Sequence, residues 1–362
     1  MPEILNGPLS RRKALTTAGT VVGSALLPSS SGGYSPRAPQ PILLMSPPPR
    51  YAIFTAIDID IGSATPFFRR LRTSMLMLPA SVEITIGFGA SLFDKGVPFQ
   101  RPRQLRQMPS FPGDLLHPDF THGDVLIQIC AAATEEAQSA THDLLSQTPH
   151  HRARWSVHGF RMDNREENGR ALTRNLFGFT EGYGNPEREG SQRALREMIE
   201  VPDTAREPVW ARAGTYQVVR LIRLAQALWD ADPVNVQEKI IGRRRDGTRL
   251  DGTAPFANTP FGDADGSTTP LDSHVRRANP RLPEIEPPRL FRRSFSYSRG
   301  RDAFGNLDEG LLFVCYQADL TRGFEAVQRR LAGEALGRYT LTTGGGYFFV
   351  PAQLDPDRYW DR

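Results

Sequence analysis

The sequence predicts an α+β protein built from two successive β-α-β-β-α-β halves, each an antiparallel sheet covered by helices. Three observations predict it. Runs rich in β-branched and aromatic residues recur along the chain, stretches with helical spacing fall between them, and the second half repeats the order of the first. At 362 residues the chain is long enough for two cores of ordinary size.

The first half begins with a strand over 51–60 (YAIFTAIDID). Residues 65–78 place Phe67, Phe68, Leu71, Met75 and Leu78 at helical spacing. A second strand over 83–89 ends in glycines, and a Pro-rich stretch (102–118) leads to a third over 124–130. A helix over 135–146 and a strand over 155–162 complete the half. In the second half, strands fall at 215–223, 310–317 and 346–350, with helix-like segments at 224–229 and 234–241. An amphipathic helix is expected over 324–336, and a Gly/Asp/Pro loop over 243–272. The pattern suggests two ferredoxin-like halves with no close sequence repeat between them.

Composition narrows the function. Hydrophobic residues make up 39% and charged residues 23%, as in a globular protein, and the net charge of +4 does not suggest a nucleic-acid partner. No run reaches the ~18 apolar residues of a spanning helix in the mature chain. Cys130 and Cys315 each sit in an apolar run, which excludes a disulfide framework and a thiolate metal cluster and predicts two buried thiols. The amino terminus reads as an address. Ser10-Arg11-Arg12-Lys13 precedes the apolar run 14–27, the pattern of a twin-arginine export signal, and a Pro/Ser/Gly-rich linker follows to residue 49. A basic tail that happens to hold two arginines is the alternative.

Few residues offer chemistry. Of the seven histidines, none pairs in a zinc pattern. His122, ahead of a strand, reads as a loop histidine, and His150-His151 as a turn. His274 stands alone in the second half, in Asp272-Ser-His-Val-Arg-Arg-Ala-Asn-Pro280, and one histidine makes no metal site without a macrocycle. Gly178-Phe-Thr-Glu-Gly-Tyr-Gly-Asn-Pro186 is a glycine-rich turn with Glu181 at its tip, a solvated hairpin being the plainer reading. Arg292-Arg293 lies in an apolar-aromatic segment, so strand alternation turns one of the pair inward, where it needs an anion.

Taken together these segments resemble the dye-decolourising peroxidases. Gly178-x-x-Glu181-Gly182 is similar to that family's GxxDG motif, Ser273-His274-Val-Arg with Asn279-Pro280 to its proximal-histidine segment, and Arg292-Arg-Ser-Phe-x-Tyr297 to its distal-arginine segment. Further similar segments are His122-Gly-Asp, Ile241-Gly-Arg243, Gly310-Leu-Leu-Phe313 and Gly344-Gly-Gly-Tyr-Phe348, all in family order from about residue 50 to 352. Among the subgroups, the chain looks most like the secreted, deferrochelatase-related kind.

The resemblance implies the dimeric α+β barrel-like superfamily and this organisation: signal and linker 1–49, first ferredoxin-like domain 50–165, connection with the GxxEG motif 166–210, haem-binding ferredoxin-like domain 211–354, and tail 355–362. It implies one haem b with His274 as proximal ligand and metal ligand. Asp319 is the candidate acceptor for the second ring nitrogen, or equally a helix cap. Glu181 would shuttle the proton of hydrogen peroxide, and Arg292 would stabilise the charge that develops. Arg243 would pair with a propionate, and Leu311 and Phe313 would wall the pocket. Trp210, Trp229, Tyr297 and Tyr347 are either electron relays or plain core.

The implied partners are hydrogen peroxide and an aromatic, phenolic, dye-like or haem-like reducing substrate, with homo-oligomerisation open. The implied localisation is periplasmic or extracellular. Handling of haem iron itself, or non-catalytic haem binding, are the rival functions. One departure stands out: glutamate replaces the family aspartate, moving the carboxylate by about one carbon–carbon bond. Either the pocket compensates or peroxide activation is weaker.

Overall fold

The computed structural model describes residue 40 and residues 47–148, 150–186, 192–254 and 264–360. The expected export signal and most of the linker lie outside the described residues. The described residues fall within one compact unit.

The first half runs β1 (Tyr51–Ile59), α1 (Ala64–Met77), β2 (Glu83–Gly89), a short α2 (Ala90–Asp94), β3 (Val125–Ala131), α3 (Thr134–Ser146) and β4 (His151–Phe160). A small sheet of β5 (Met162–Glu167), β6 (Arg170–Arg174) and β7 (Thr180–Glu181), then α4 (Gln192–Ile199), connects it to the second half. There follow β8 (Thr215–Leu224), α5 (Gln226–Asp230), α6 (Val234–Ile241), α7 (His274–Ala278), β9 (Phe291–Arg292), β10 (Phe295–Arg301), β11 (Leu307–Gln317), α8 (Ala326–Leu331) and β12 (Thr340–Val350).

The large sheet is antiparallel, with order β10-β4-β1-β3-β2-β12-β8-β11-β9. Because β10 also pairs with β11, the sheet closes on itself as a barrel and leaves β9 as a side strand. Each half contributes the same relative order, β4-β1-β3-β2 and β12-β8-β11-β10. The halves join where β12 meets β2 (Phe349 opposite Phe88) and where β10 meets β4 (Tyr297 opposite Gly159). At the second seam a Cβ on Gly159 would lie 2.8 Å from the Phe295 Cβ, so only glycine lets the strands close.

Strand alternation sorts the side chains. Ala52, Phe54 and Ala56 of β1 face the barrel interior with Leu312, Val314 and Tyr316 of β11. Ile53, Ile57 and Ile59 face outward, where α1 and α3 cover them with Phe67, Phe68, Leu71 and Leu144. Both cysteines are free and buried. Burial pushes the Cys130 thiol up to about 11 and raises that of Cys315, so both stay protonated core residues.

The structure differs from expectation in several places, among them that β12 begins at Thr340 rather than 346 and that β10 is not among the expected strands. The helix expected over 324–336 is broken: α8 stops at Leu331, Gly333 has φ +75°, and a separate 3-10 turn covers Ala335–Arg338. Helical spacing persists through such breaks because apolar residues recur regardless of backbone hydrogen bonding. The Pro-rich stretch over 102–118, for which the sequence predicts no element, is anchored to the second half. Backbone bonds from Leu115 and His117 to the Thr342 and Thr343 carbonyls, at 2.9 and 2.8 Å, strap it across β12.

Candidate active site

A cavity of about 690 Å³ lies over the outward face of β8, β11 and β12, within the ~300–1,000 Å³ usual for cofactor sites. Its floor alternates correctly: Ile222 and Leu224 of β8 and Leu311 and Phe313 of β11 line it, while their neighbours Leu221, Leu312 and Val314 fill the barrel. Phe177, Phe179 and Val275 add apolar wall. The strap from the first half contributes Pro112, Gly113 and Asp114, the last paired at 2.5 Å with the buried Arg220.

His274 opens α7 and lines this cavity. Gly242 ends α6 in the left-handed conformation (φ +85°), and a Cβ there would lie 2.6 Å from the Ser273 hydroxyl. This glycine therefore brings Arg243 and His274 onto neighbouring turns. The His274 Nδ1 is 2.8 Å from Glu334 Oε2. Since a carboxylate only accepts, Nδ1 is the nitrogen that carries the proton, which in the neutral ring leaves the lone pair to Nε2. Glu334 lies just beyond the end of α8, whose final carbonyls are tied to α7: Arg277 donates to the Arg330 and Ala332 carbonyls at 2.8 and 2.6 Å.

Of the two roles expected for Asp319, acceptor for His274 is therefore corrected and the cap is the one observed. Its carboxylate accepts from the Arg322 N–H at 2.9 Å, as a cap on the turn that follows, and it lines a separate polar pocket with Arg103, Gln104 and Glu197. Sequence reasoning missed Glu334 because the broken helix hides the position where the chain turns back toward the cavity.

The glycine-rich turn reaches the same cavity from another direction. Phe177 stacks on Trp229 at 4.4 Å, and the Asn175 side chain accepts from the Phe179 N–H at 3.0 Å, which fixes the turn's shape. The other end of that amide donates to Glu181 Oε1 at 2.8 Å. Asn185 then grips β9, donating to the Arg292 carbonyl at 2.7 Å and accepting from its N–H at 3.0 Å. As strand alternation required, the arginines divide. Arg293 turns inward to Glu83 at 2.5 Å, and Arg292 lines the cavity beside Glu181, Gly184 and Asn185. Asn175, Asn185 and Arg161, which donates to the Ser294 carbonyl at 2.7 Å, have no sequence signal of their own.

The cavity is strongly cationic. Burial lowers the Arg243 guanidinium to about 10, and Arg281, Arg249 and Arg292 push the same way. Burial also lowers Arg161 to about 10, with Arg293 adding to the fall and Glu181 opposing it. These groups remain charged at neutral pH, so the cavity concentrates positive charge in low dielectric and favours an anionic occupant. Arg292 is likewise lowered by burial and upheld by Glu181. Among the described residues no group of three or more His, Cys, Asp or Glu is arranged to hold a bare metal ion. Trp229, Tyr297 and Tyr347 are fully buried, while Trp210 packs between Phe93 and Phe99.

A closed antiparallel barrel with a single carboxylate-backed histidine, a glutamate–arginine pair and a cationic rim in one cavity defines the class. The chain belongs to the Dyp-type peroxidase family: residues 50–161 match its N-terminal domain and residues 172–355 its C-terminal domain. It is accordingly a haem-dependent peroxidase. Among curated relatives, the Deferrochelatase of Shigella flexneri serotype 5b is 37% identical over 340 residues, covering 92% of this chain and 75% of the relative. The Deferrochelatase of Escherichia coli strain K12 is 40% identical over 289 residues, covering 78% and 68%. Among solved structures, ferric DtpA from Streptomyces lividans superposes with TM-score 0.77 at 30% identity, covering 88% of this chain and 94% of that one. A DyP-type peroxidase from Streptomyces coelicolor gives TM-score 0.78 at 30% identity over the same shares.

Proposed function

We propose that the protein reduces hydrogen peroxide at a haem b seated in the 690 Å³ cavity and oxidises aromatic, phenolic or dye-like substrates. In this reading His274 would hold the haem iron, Glu181 and Arg292 are the catalytic residues, Arg243 would pair with a propionate, and Leu311 and Phe313 would wall the pocket. The residues suit the group. The cavity is flanked by apolar walls for the macrocycle and a cluster of arginines for its two carboxylates, and it holds one histidine with a lone pair to give. The observation that carries the reading is the convergence of Glu181, His274 and Arg292, from three separate segments, on one cavity.

When bound, haem supplies the iron at which the peroxide oxygen–oxygen bond is cleaved. The chain supplies the rest. Glu334 holds the His274 proton at Nδ1, which fixes the ring and raises the basicity of Nε2. Asn175 orients the Glu181 carboxylate, leaving Oε2 to take the proton from one peroxide oxygen and return it to the other. The Arg292 guanidinium stabilises the negative charge that develops on the leaving oxygen.

Stopped-flow absorbance of the haem-loaded protein mixed with hydrogen peroxide tests this. Glu181→Ala is expected to slow the peroxide-dependent spectral change about 10²–10⁴-fold. An unchanged rate would remove Glu181 from the chemistry.

The curated relatives named Deferrochelatase favour a second reading, in which haem itself is the substrate and its iron is released. Free protoporphyrin fluorescence in the reaction mixture distinguishes it from peroxidation. We further read the two halves as ferredoxin-like domains over 50–165 and 211–354, joined through 166–210. The protein is read as exported by the twin-arginine route, on the strength of Arg11-Arg12 ahead of the apolar run.

A further inference from the structure

Glu181 and Arg292 line the same cavity yet form no ion pair with each other among the described residues. A carboxylate and a guanidinium left free in low dielectric attract strongly, and paired they would satisfy each other rather than a substrate. Something holds them apart. On the carboxylate side it is Asn175, bonded to Oε1. On the arginine side the turn offers Gly184.

Gly184 has no backbone reason to be glycine. Its φ is not in the left-handed region, unlike Gly178 at +84° and Gly182 at +114°. The three atoms nearest to a Cβ built on Gly184 all belong to the Arg292 guanidinium: Nη2 at 2.4 Å, Cζ at 3.4 Å and Nη1 at 3.9 Å. Any side chain at 184 would occupy the space in which the guanidinium now lies. The next residue, Asn185, fixes the same arginine through its backbone, at 2.7 and 3.0 Å.

We propose that Gly184 is a positioning residue whose missing side chain is the seat of the Arg292 guanidinium, so that the turn carrying Glu181 places both members of the distal pair and keeps them from collapsing onto each other. The proposal rests on the reading of Arg292 as the distal cation.

The obvious variant is conservative. Gly184→Ala meets only the far end of a flexible side chain and needs no left-handed backbone, so it is expected to fold with an unchanged melting temperature. Its guanidinium is displaced, and a misplacement of about 1 Å costs up to ~10²-fold in rate. Four haem-loaded proteins are compared: wild type, Gly184→Ala, Arg292→Lys and the double variant. Two quantities are read, the rate of the hydrogen peroxide-dependent absorbance change and the Kd for cyanide as a small-anion probe of the same side.

Gly184→Ala is expected to slow the first by about 10–100-fold and to weaken cyanide binding about tenfold. In the Arg292→Lys background, where Nη2 no longer exists, alanine at 184 is expected to change either quantity by less than about twofold. A full cost that persists in that background would overturn the proposal, as would wild-type behaviour of Gly184→Ala. Should Arg292→Lys leave the peroxide rate unchanged, it is the functional reading that fails. A crystal structure of Gly184→Ala then decides the seat by itself: a displaced Arg292 guanidinium supports it, and an unmoved one overturns it.

Discussion

The outward face of the sheet over β1–β4 and the face over β8, β11 and β12 have the same strand order beneath them and opposite fates. On the first, Ile53, Ile57 and Ile59 are sealed under α1, of 14 residues, and α3, of 13. On the second, Ile222, Leu224, Leu311 and Phe313 look into a 690 Å³ cavity, because the covering helices α6, α7 and α8 have only 8, 5 and 6 residues. A helix of three to four turns lays a continuous apolar stripe on a sheet. Helices of one or two turns cannot, and the space between them is where a ligand fits. The same architecture thus yields a stabilising half and a binding half, and the difference lies in helix length rather than in strands.

This contrast can be broken from either side. The largest stability effect is expected on the sealed face. Phe68 is fully buried and meets Phe67 and Phe88 at ring-centroid distances of 5.1 and 5.3 Å. Phe68→Ala should cost about 3–5 kcal/mol of unfolding free energy by denaturant titration, with haem binding by the folded fraction unaltered.

On the open face the expected order reverses. Glu334→Gln removes the charged acceptor at His274 Nδ1, and should weaken haem retention about 10–100-fold, read as haem transfer to a scavenging globin. The stability of the haem-free chain should hardly move. Equal haem retention in wild type and variant would argue that another group orients the ring. Phe313→Ala, on a half-buried cavity residue, should cost only about 1 kcal/mol of stability while accelerating haem loss.

The smallest effect is expected at the seam. His122 has φ +60°, donates its N–H to the Gly345 carbonyl at 2.8 Å, and accepts from Trp155 Nε1 at 2.8 Å. Burial, with Arg154 adding to it, holds its imidazole below the ordinary value. The unfolded chain therefore takes up the proton first as pH falls. Stability that is present above about pH 6.5 is lost below it, until the folded form also protonates. His122→Asn, which tolerates the same backbone, should make the melting temperature fall less steeply on the acid side. An identical acid slope would show that other groups dominate there.

Much of this was legible in the residues. Local alternation and helical spacing located β1, α1, β2, β3 and α3 within about two residues, since those segments bury one face along their whole length. The motifs pointed to Glu181, His274, Arg243 and Arg292 as chemistry-bearing positions, and the structure brings all four to one cavity. Strand alternation also foretold that one of Arg292 and Arg293 would turn inward to an anion.

What the sequence could not decide is who partners whom. The choice of Glu334 over Asp319 depends on where a broken helix returns, and the break between Leu331 and Gly333 is a backbone event that periodicity does not register. The closing of the sheet through β10 and β11, the strap that brings Asp114 to Arg220, and the room at Gly184 for Arg292 are likewise contacts between segments far apart in the chain. Local propensity is written in neighbouring residues. Which distant carboxylate, carbonyl or empty Cβ position a side chain meets is set only when the chain has packed, and for this protein that decided how the site is assembled.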